Sequence, residues 1–167
     1  ETISQIFDID KKIKENKKPN YVAGHSLGEY NALLAANIFD FETGLKLVQK
    51  RGELMSQATG GGMAAILGLK STEVKKILKQ EELANVSIAN YNSYTQTVIS
   101  GSKDEFYAAQ ALFEQVGAIF IQLHVSGAFH SPHMEPAKQQ FANFIDNFYF
   151  NTPIIPVIAN INARIYQ

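Results

Sequence analysis

Hydrophobic and polar positions recur along the chain with two different spacings. Intervals of three and four residues predict amphipathic helices, and short apolar runs beside turn residues predict strands. The predicted helices cover residues 2–16, 28–36, 41–58, 71–80, 103–116 and 132–148, and the predicted strands cover 21–23, 63–69, 86–90, 96–100, 118–125 and 153–159. Because helices and strands alternate over most of the chain, the pattern indicates an α/β fold.

Several connections are predicted from single residues. Asp40 is suited to cap the helix that follows it, and Ser131 can cap the last helix with Pro132 at its first position. Asn92-Ser93 predicts a turn between two strands. Gly60-Gly61-Gly62 is interpreted as a flexible linker and not as a phosphate loop, because no Lys-Ser or Lys-Thr follows it.

The middle of the chain has its own order of elements. From residue 62 to about residue 125 the predicted order is strand, helix, strand, strand, helix, strand, which is that of a ferredoxin-like subdomain. We therefore expect a small subdomain at 62–125, inserted into a larger α/β layer formed by 1–61 and 126–167. The chain opens directly in a helical pattern and stops in a strand region, so we expect a fragment of a larger domain.

The clearest candidate for chemistry lies at the first predicted strand-to-helix junction. An apolar run leads into Gly24-x-Ser26-x-Gly28, and a helical pattern begins at once, which is the layout of a nucleophile elbow. We expect both glycines to keep Cβ atoms out of a crowded bend. The Ser26 hydroxyl would then lie near a helix N-terminus, whose N–H groups and positive dipole end favour a developing oxyanion.

A serine hydroxyl needs a base, and the chain has four histidines that could serve: His25, His124, His130 and His133. His25 neighbours the nucleophile, but an elbow directs adjacent side chains apart. His124 falls in a predicted strand. His130 lies in a loop just after the small pair Gly127-Ala128, and His133 lies on the first turn of the next helix. Position favours His130, with His133 next, and no carboxylate that could orient the imidazole is evident nearby.

Arg51 is out of place on the helix predicted at 41–58. It lies four residues from Leu47 and from Met55, on the apolar face. A guanidinium there is costly unless it reaches solvent or meets an anion. Two interpretations remain open: a salt bridge to another part of the core, or a site for a substrate carboxylate, which the fork of arginine can bind in a bidentate manner.

Composition removes several functional classes. The 167 residues are 46% hydrophobic and 19% charged, with a net charge of −1, so a globular fold is expected and no field for nucleic acid or an anionic membrane. There is no cysteine, hence no disulfide and no thiol nucleophile. Without a long apolar run or a signal peptide we expect a cytoplasmic protein. No metal is expected, because His130-x-x-His133 lacks further ligands at suitable spacing.

Three motifs, in this order, resemble a known enzyme family. They are Gly24-His25-Ser26-Leu27-Gly28-Glu29-Tyr30, Arg51-Gly52-Glu53-Leu54-Met55 and the run from Gly127 to Ala137. They resemble the acyltransferase domain of fatty-acid and polyketide synthesis, the malonyl-CoA:acyl carrier protein transacylase family. The segments at 90–93, 96–101 and 156–161 match its pattern too, so the resemblance covers almost the whole chain. Gly-Ala-Phe-His is also similar to free-standing acyltransferases that serve polyketide synthases.

The resemblance implies an activity and a fold. A malonyl group would pass from malonyl-CoA, through a serine ester, to the phosphopantetheine thiol of an acyl carrier protein, with polyketide synthase modules as further partners and no cofactor. The implied fold is an α/β-hydrolase-like large subdomain with a ferredoxin-like small one. Two rival functions remain: a hydrolase that edits acyl carrier proteins, and a non-catalytic docking module.

The resemblance also assigns roles to residues. Catalysis falls to Ser26 as nucleophile and His130 as general base. Substrate binding falls to five residues, which are His25, Leu27, Arg51, Phe129 and Asn160. Arg51 would bind the malonyl carboxylate, the Leu27 N–H would be an oxyanion donor, and Phe129 points to malonyl where a smaller residue would admit an α-methyl group.

Two elements of the family do not occur in this sequence. One is the N-terminal Gly-Gln-Gly-Ser-Gln stretch, which supplies a second oxyanion donor. The other is the C-terminal segment whose backbone carbonyl holds the catalytic histidine. We therefore expect the chain to be the middle of the family's domain, and an isolated fragment of this kind would expose apolar surface and a sheet edge.

Overall fold

The structure is a computed structural model that describes residues 19–80, 83 and 85–166, so the helix predicted at 2–16 lies outside the described residues. The described residues form an α/β structure, as predicted. The strands are β1 (Val22–Ala23), β2 (Gly61–Leu67), β3 (Val86–Ser93), β4 (Gln96–Ser102), β5 (Ile119–Gln122) and β6 (Val157–Ile158). The helices are α1 (Gly28–Ala35), α2 (Phe41–Ser56), α3 (Ser71–Gln80), α4 (Lys103–Gln115), a short 3-10 turn (Pro132–Met134) and α5 (Glu135–Ile145).

The described residues divide into two compact units. The first unit comprises residues 19–48 and 148–166, and the second comprises the described residues between 49 and 147. In the first unit β1 and β6 pair in parallel, with Val22 opposite Val157. Ala32 and Ala36 of the α1 segment pack with Val157 in a small core. The first unit therefore joins residues that are far apart in the sequence.

The ends of the helices in the first unit follow the local sequence. Asn37 ends the α1 segment with a φ of 62°, a left-handed conformation that asparagine tolerates better than most residues. The Thr43 N–H donates to Oδ1 of Asp40 at 2.8 Å, so Asp40 caps α2 as predicted. These two caps fix where α1 ends and α2 begins.

The last strand is shorter than predicted, and the chain returns after it. Pro153 and Pro156 have no backbone N–H to donate, and only 157–158 of the predicted strand 153–159 pair with β1. Beyond β6 the chain turns through Ala163, which has a φ of 54°. The Tyr166 N–H then donates to the Val157 carbonyl at 3.0 Å. This return lays Tyr166 alongside β6.

The second unit contains the element order that the sequence predicted between 62 and 125. β2, β3, β4 and β5 form a four-stranded antiparallel sheet in the order β3-β4-β2-β5. Residues of α3 and α4 pack on one face of this sheet, with Val74, Phe106 and Phe113 fully buried against Ile66 and Ile99. On its other face lies a smaller cluster of Met63, Ala65 and Val98.

Two expectations about the sheet were wrong. Gly61 and Gly62 do not form a linker but begin β2 and pair with β4. A Cβ at Gly62 would lie 3.2 Å from the Phe106 ring, and one at Gly61 would lie 2.5 Å from the Ala128 Cβ, so these glycines let their neighbours approach closely. The turn lies at 94–95 and not at 92–93, because β3 and β4 remain paired as far as Ser93 opposite Gln96.

The last predicted helix begins with a 3-10 turn before α5 starts. Oγ of Ser131 accepts a hydrogen bond from the His133 N–H at 3.3 Å, so the predicted cap is confirmed. Pro132 follows at the first position of the turn, where a missing N–H costs nothing. Among the helices within 19–166 that the structure describes, none combines the length and the apolar character needed to cross a membrane.

Candidate active site

The chain bends sharply between β1 and α1, and Ser26 lies at this bend. Ser26 has a φ of 52°, a left-handed conformation that is uncommon for a residue with a side chain. A Cβ added at Gly24 would collide with the carbonyl of Gly28. At Gly28, an added Cβ would meet no described atom within 4 Å outside its own helix. The strained turn is therefore present, but crowding requires a glycine only at position 24, and the expectation for position 28 was wrong.

The N–H groups of residues 26–30 differ in whether they have an acceptor. The Ser26 N–H donates to Oδ1 of Asn160 at 3.1 Å. The N–H groups of Gly28, Glu29 and Tyr30 donate to carbonyls three positions earlier, at 2.9, 3.1 and 3.2 Å. Within the described part of the chain, the Leu27 N–H has no acceptor. Because it lies at the start of α1, with no side chain capping the helix, it can donate to a negatively charged oxygen near Ser26.

Asn160 contacts the backbone of the bend. Its Nδ2 donates to the Gly24 carbonyl while its Oδ1 accepts from Ser26. The Asn160 N–H donates to Oε1 of Glu29 at 2.8 Å, and the hydroxyl of Tyr166 donates to the same oxygen at 2.8 Å. Burial, the hydrogen bond to Glu29 and the carboxylate charge raise the pKa of Tyr166 to about 12. The hydroxyl is therefore protonated, and able to donate, at neutral pH.

Sequence reasoning named Asn160 but missed its two supports. Glu29 follows the bend as an acidic residue in the first turn of a helix, a favourable place for a carboxylate, and that position was a usable signal. Tyr166 gave no signal, because its contact depends on the return of the chain after β6. His25, the remaining predicted residue of this unit, is exposed, and its carbonyl accepts the Gly28 N–H at 2.9 Å.

In the second unit a short loop presents His130 at the surface. His130 has a φ of 57°, again left-handed for a residue with a side chain. The loop is held by local contacts: Oγ of Ser131 donates to the Ala128 carbonyl at 2.6 Å, and the Phe129 N–H donates to the Gly127 carbonyl at 3.0 Å. Gly127 and Ala128 are buried, so the loop is anchored beneath the exposed imidazole.

The other histidines lack this strained backbone. Of the four in the chain, His130 is the one with a positive φ. His124 follows β5 and does not lie within it, and both His124 and His133 are exposed. Strained backbone conformations concentrate at functional sites, which favours His130 over His133 as a base.

Two further predicted residues lie in the second unit. Phe129 packs against the cluster of Met63, Ala65 and Val98, so its position is set by the sheet. Arg51 lies on α2 and is half-buried, close in sequence to the buried Leu54. An arginine in this partly apolar position is suited to bind a carboxylate through two parallel N–H bonds.

The described residues were also considered as possible metal ligands. Across residues 19–80, 83 and 85–166, no group of three or more histidine, aspartate or glutamate side chains could hold an ion. The described residues include a serine hydroxyl near a helix N-terminus, an exposed imidazole and a backbone N–H group without an acceptor, and groups of these kinds are used in acyl transfer.

Comparison with known proteins points in the same direction. Residues 14–165 match the family described as the acyl transferase domain. A relative from Bacillus subtilis strain 168, the polyketide biosynthesis malonyl CoA-acyl carrier protein transacylase PksC, is 55% identical over 159 residues. That match covers 93% of this chain and 55% of the relative. The chain thus spans about half the length of the curated relatives it matches.

Solved structures give the same result for the fold. The malonyl CoA-acyl carrier protein transacylase from Burkholderia pseudomallei has a TM-score of 0.88 and 48% identity, covering 95% of this chain and 55% of that one. A malonyl-transacylase solved with its type II polyketide synthase acyl-carrier protein has a TM-score of 0.85 and 35% identity, covering 90% of this chain and 50% of that one. The resemblance inferred from the three sequence motifs is confirmed.

Proposed function

This chain belongs to the acyl transferase domain family, and on that premise we propose that the full-length protein is a malonyl-CoA:acyl carrier protein transacylase. Ser26 would accept the malonyl group as an ester and pass it to the phosphopantetheine thiol of an acyl carrier protein. Relatives that bear this name, one of them in polyketide biosynthesis, support the proposal. The reaction needs no cofactor, because the acyl group arrives as a thioester.

One observation carries the proposal. Ser26 lies in a strained bend at the start of a helix, and the neighbouring Leu27 N–H has no acceptor among the described residues. A tetrahedral intermediate at Ser26 bears a negative oxygen, which needs donors already in place. The Leu27 N–H is suited to be one of them.

The first half-reaction forms the acyl ester. His130 takes the proton of the Ser26 hydroxyl, and Oγ attacks the thioester carbon of malonyl-CoA. The Leu27 N–H stabilises the oxyanion of the tetrahedral intermediate. When the carbon–sulfur bond breaks, the sulfur of CoA takes the proton from His130, which returns to its neutral form.

The second half-reaction reverses the roles. The carrier thiol gives its proton to His130, and its sulfur attacks the ester carbon. The bond from this carbon to Oγ of Ser26 breaks, and Ser26 recovers its proton from His130. The malonyl group leaves as a thioester of the carrier, so the cycle is a ping-pong transfer.

Three residues would select the acyl group. Arg51 would bind the free malonyl carboxylate, Phe129 would restrict the volume beside the α-carbon, and His25 would line the approach to Ser26. The half-buried position of Arg51 supports this role, because a carboxylate is bound more strongly where water is partly excluded. The anchoring of Phe129 on the sheet supports its role as a rigid wall.

The finer architecture and the location are also proposals. We propose an α/β-hydrolase-like large subdomain at 1–61 and 126–167 with a ferredoxin-like small subdomain at 62–125. The strand order β3-β4-β2-β5, with a helix between β2 and β3 and another between β4 and β5, supports the small subdomain. Polyketide synthase modules as partners and a cytoplasmic location remain predictions.

The decisive experiment weighs the protein after exposure to malonyl-CoA. We expect intact-mass spectrometry of the full-length protein to show one added malonyl group, which is absent from Ser26→Ala and present in a Ser56→Ala control. Addition of an acyl carrier protein should move the group to the carrier thiol. Release of free malonate, with no carrier product, would favour the hydrolase, and a parent protein without any adduct would favour the docking module.

The carboxylate role of Arg51 has its own test. Arg51→Ala should reduce malonyl loading by about 100-fold, because a charge-assisted bidentate contact is lost, and should raise the relative loading of acetyl-CoA. Lys46→Ala is a matched control on the same helix, where Lys46 pairs with Glu42 at 2.7 Å on the surface. Unchanged malonyl loading by Arg51→Ala would refute the assignment.

A further inference from the structure

The side-chain amide of Asn160 takes the place of a strand neighbour at the bend. It accepts from the N–H of Ser26 and donates to the carbonyl of Gly24, two backbone groups on either side of His25. In a parallel ladder, the N–H and carbonyl of one residue bond across to two such groups on the neighbouring strand. Asn160 makes the equivalent pair of contacts with its side chain.

The bend needs this replacement because the ladder stops short of it. Backbone pairing of β1 with β6 ends at Ala23 opposite Ile158. Beyond that pair the chain leaves the strand direction, and Ser26 reaches a φ of 52°. A residue in such a conformation costs about 1–3 kcal/mol and persists only where its surroundings determine it. The two hydrogen bonds of the Asn160 side chain, one with Gly24 and one with Ser26, hold the bend in this conformation.

Asn160 is itself held to the helix that the bend begins. Its backbone N–H and the Tyr166 hydroxyl both donate to Oε1 of Glu29, each at 2.8 Å. Glu29 lies in the first turn of α1, three residues after Ser26. The contacts therefore form a closed ring that runs from the bend to Asn160, on to Glu29, and back along α1.

The hydrogen bonds of this ring also affect which N–H can donate to the reacting oxygen. The Ser26 N–H already donates to Asn160, whereas the adjacent Leu27 N–H has no acceptor among the described residues. We propose that Asn160, fixed by Glu29 and Tyr166, is the positioning residue that holds Ser26 in its reactive conformation and reserves the Leu27 N–H for the oxyanion. The inference rests on the proposed function, in which Ser26 is the nucleophile.

The test measures how fast Ser26 is acylated. In the full-length protein, Asn160→Ala should lower the loading rate at saturating malonyl-CoA by about 100-fold, because a displacement of about 1 Å at a reacting group has that effect. The half-saturating malonyl-CoA concentration should change by no more than about twofold, because the contacts of Asn160 run to Gly24, Ser26 and Glu29. We thus assign it a positioning role in place of the substrate binding that the resemblance implied. A merely structural role would not produce this separation.

Asn151→Ala is the matched control. Asn151 lies in the same unit and also donates from Nδ2 to a distant backbone carbonyl, that of Asn37, at 3.2 Å. Asn151→Ala should lose about as much unfolding free energy as Asn160→Ala but should keep the loading rate of the parent. Equal loading rates in Asn160→Ala, Asn151→Ala and the parent would overturn the inference.

The Glu29 variants keep the inference testable if Asn160→Ala does not fold. Glu29→Gln retains an oxygen that accepts both hydrogen bonds, so it should load within about threefold of the parent. Glu29→Ala removes the acceptor and should load about tenfold more slowly. Equal rates for Glu29→Ala and Glu29→Gln would count against a positioning ring.

A fluorophosphonate reagent separates this inference from the proposed function. An activated serine attacks its phosphorus, a P–O bond forms, fluoride leaves, and the hydroxyl proton goes to the base, whatever the natural acyl group is. If the parent reacts with the reagent but not with malonyl-CoA, the proposed substrate is wrong, and slow labelling of Asn160→Ala would still support positioning. Labelling of Asn160→Ala as fast as the parent would overturn the inference, and a parent inert to both reagents would overturn both proposals.

Discussion

The bend at Ser26 and the loop at His130 share a strained backbone conformation but differ in the hydrogen bonds around it. Each places a residue with a side chain at a left-handed φ, 52° for Ser26 and 57° for His130. Ser26 is held from 134 positions away, by a hydrogen bond to the side chain of Asn160. His130 is flanked by contacts that span two or three positions, among them the bond from Ser131 to the Ala128 carbonyl.

This difference tells us what each region depends on. The bend requires the chain to return after β6, so distant substitutions can disturb Ser26. The printed hydrogen bonds of the loop join residues two or three positions apart, while Gly127 and Ala128 pack beneath it against Ala58 and Gly61. We therefore expect the loss of a hydrogen bond to act over a long range at the bend and to remain local at the loop, and four substitutions test the two regions.

The largest effect is expected for Gly24→Ala, which breaks the bend directly. Its new Cβ would collide with the Gly28 carbonyl, and forced displacement of this kind costs about 3 kcal/mol of unfolding free energy. Gly28→Ala is the control, since its Cβ has open space and alanine favours a helix by about 1 kcal/mol. Urea denaturation measures both, and equal stabilities would contradict the crowding at position 24.

The next largest effect is expected for Gly127→Ala, which breaks the anchor of the loop. The added Cβ would collide with the Ala58 carbonyl, so we expect a loss of about 2 kcal/mol in unfolding free energy. Gly52→Ala in α2 meets no described atom within 4 Å and should be neutral or slightly stabilising. Equal unfolding free energies for Gly127→Ala and Gly52→Ala would show that the backbone at Ala58 and Gly127 can shift to accommodate the added Cβ.

Ser131→Ala should have a smaller and strictly local effect. It removes the bond to the Ala128 carbonyl and the cap on the His133 N–H, together worth about 1 kcal/mol. Hydrogen exchange should rise at 127–134 and stay unchanged at 24–30. Ser56→Ala, on an exposed helix end, is the control, and faster exchange at 24–30 would erase the distinction between the two regions.

The smallest effect is expected for Tyr166→Phe, and it depends on pH. The pKa of Tyr166 is raised to about 12 in the folded protein, so the tyrosine contributes stability in full below its unfolded pKa of 10. This contribution is lost as the pH rises through 12. The difference in unfolding free energy between the parent and Tyr166→Phe should therefore become smaller between pH 10 and pH 12. Tyr166 is 42% exposed, which limits the difference at pH 7 to about 1 kcal/mol. A difference that does not change with pH would contradict the contact with Glu29.

The sequence predicted the elements better than the contacts between them. Periodicity located α2, α3, α4 and most of the strands, because those segments obey local spacing rules. It failed at Gly61 and Gly62, where the reason for glycine is the approach of Phe106 and Ala128 from elsewhere in the chain. It failed again at the β3–β4 turn, because ladder pairing outweighed the local preference of asparagine and serine.

The candidate site divides in the same way. Gly24 and Ser26 could be predicted as a sharp bend, because the nucleophile-elbow motif consists of five consecutive residues. His130 was favoured by its small neighbours, which are a local signal too. The position of Glu29 in the first turn of a helix was a usable signal, but its contacts with Asn160 and Tyr166 could not be predicted, because they depend on a long-range return of the chain that no local pattern encodes.

The long connection between Ser26 and Asn160 also sets an order of events during folding. Closing a loop of 134 positions costs about 4 kcal/mol of chain entropy by polymer scaling, whereas the intervening sheet can form while that loop is still open. On a ribosome, Asn160 emerges long after the elbow motif has left the exit tunnel. A nascent chain that stops before residue 160 would carry Ser26 without the two hydrogen bonds that Asn160 makes with the bend. On the function we propose, such a chain would carry the serine without the contacts that hold it in place.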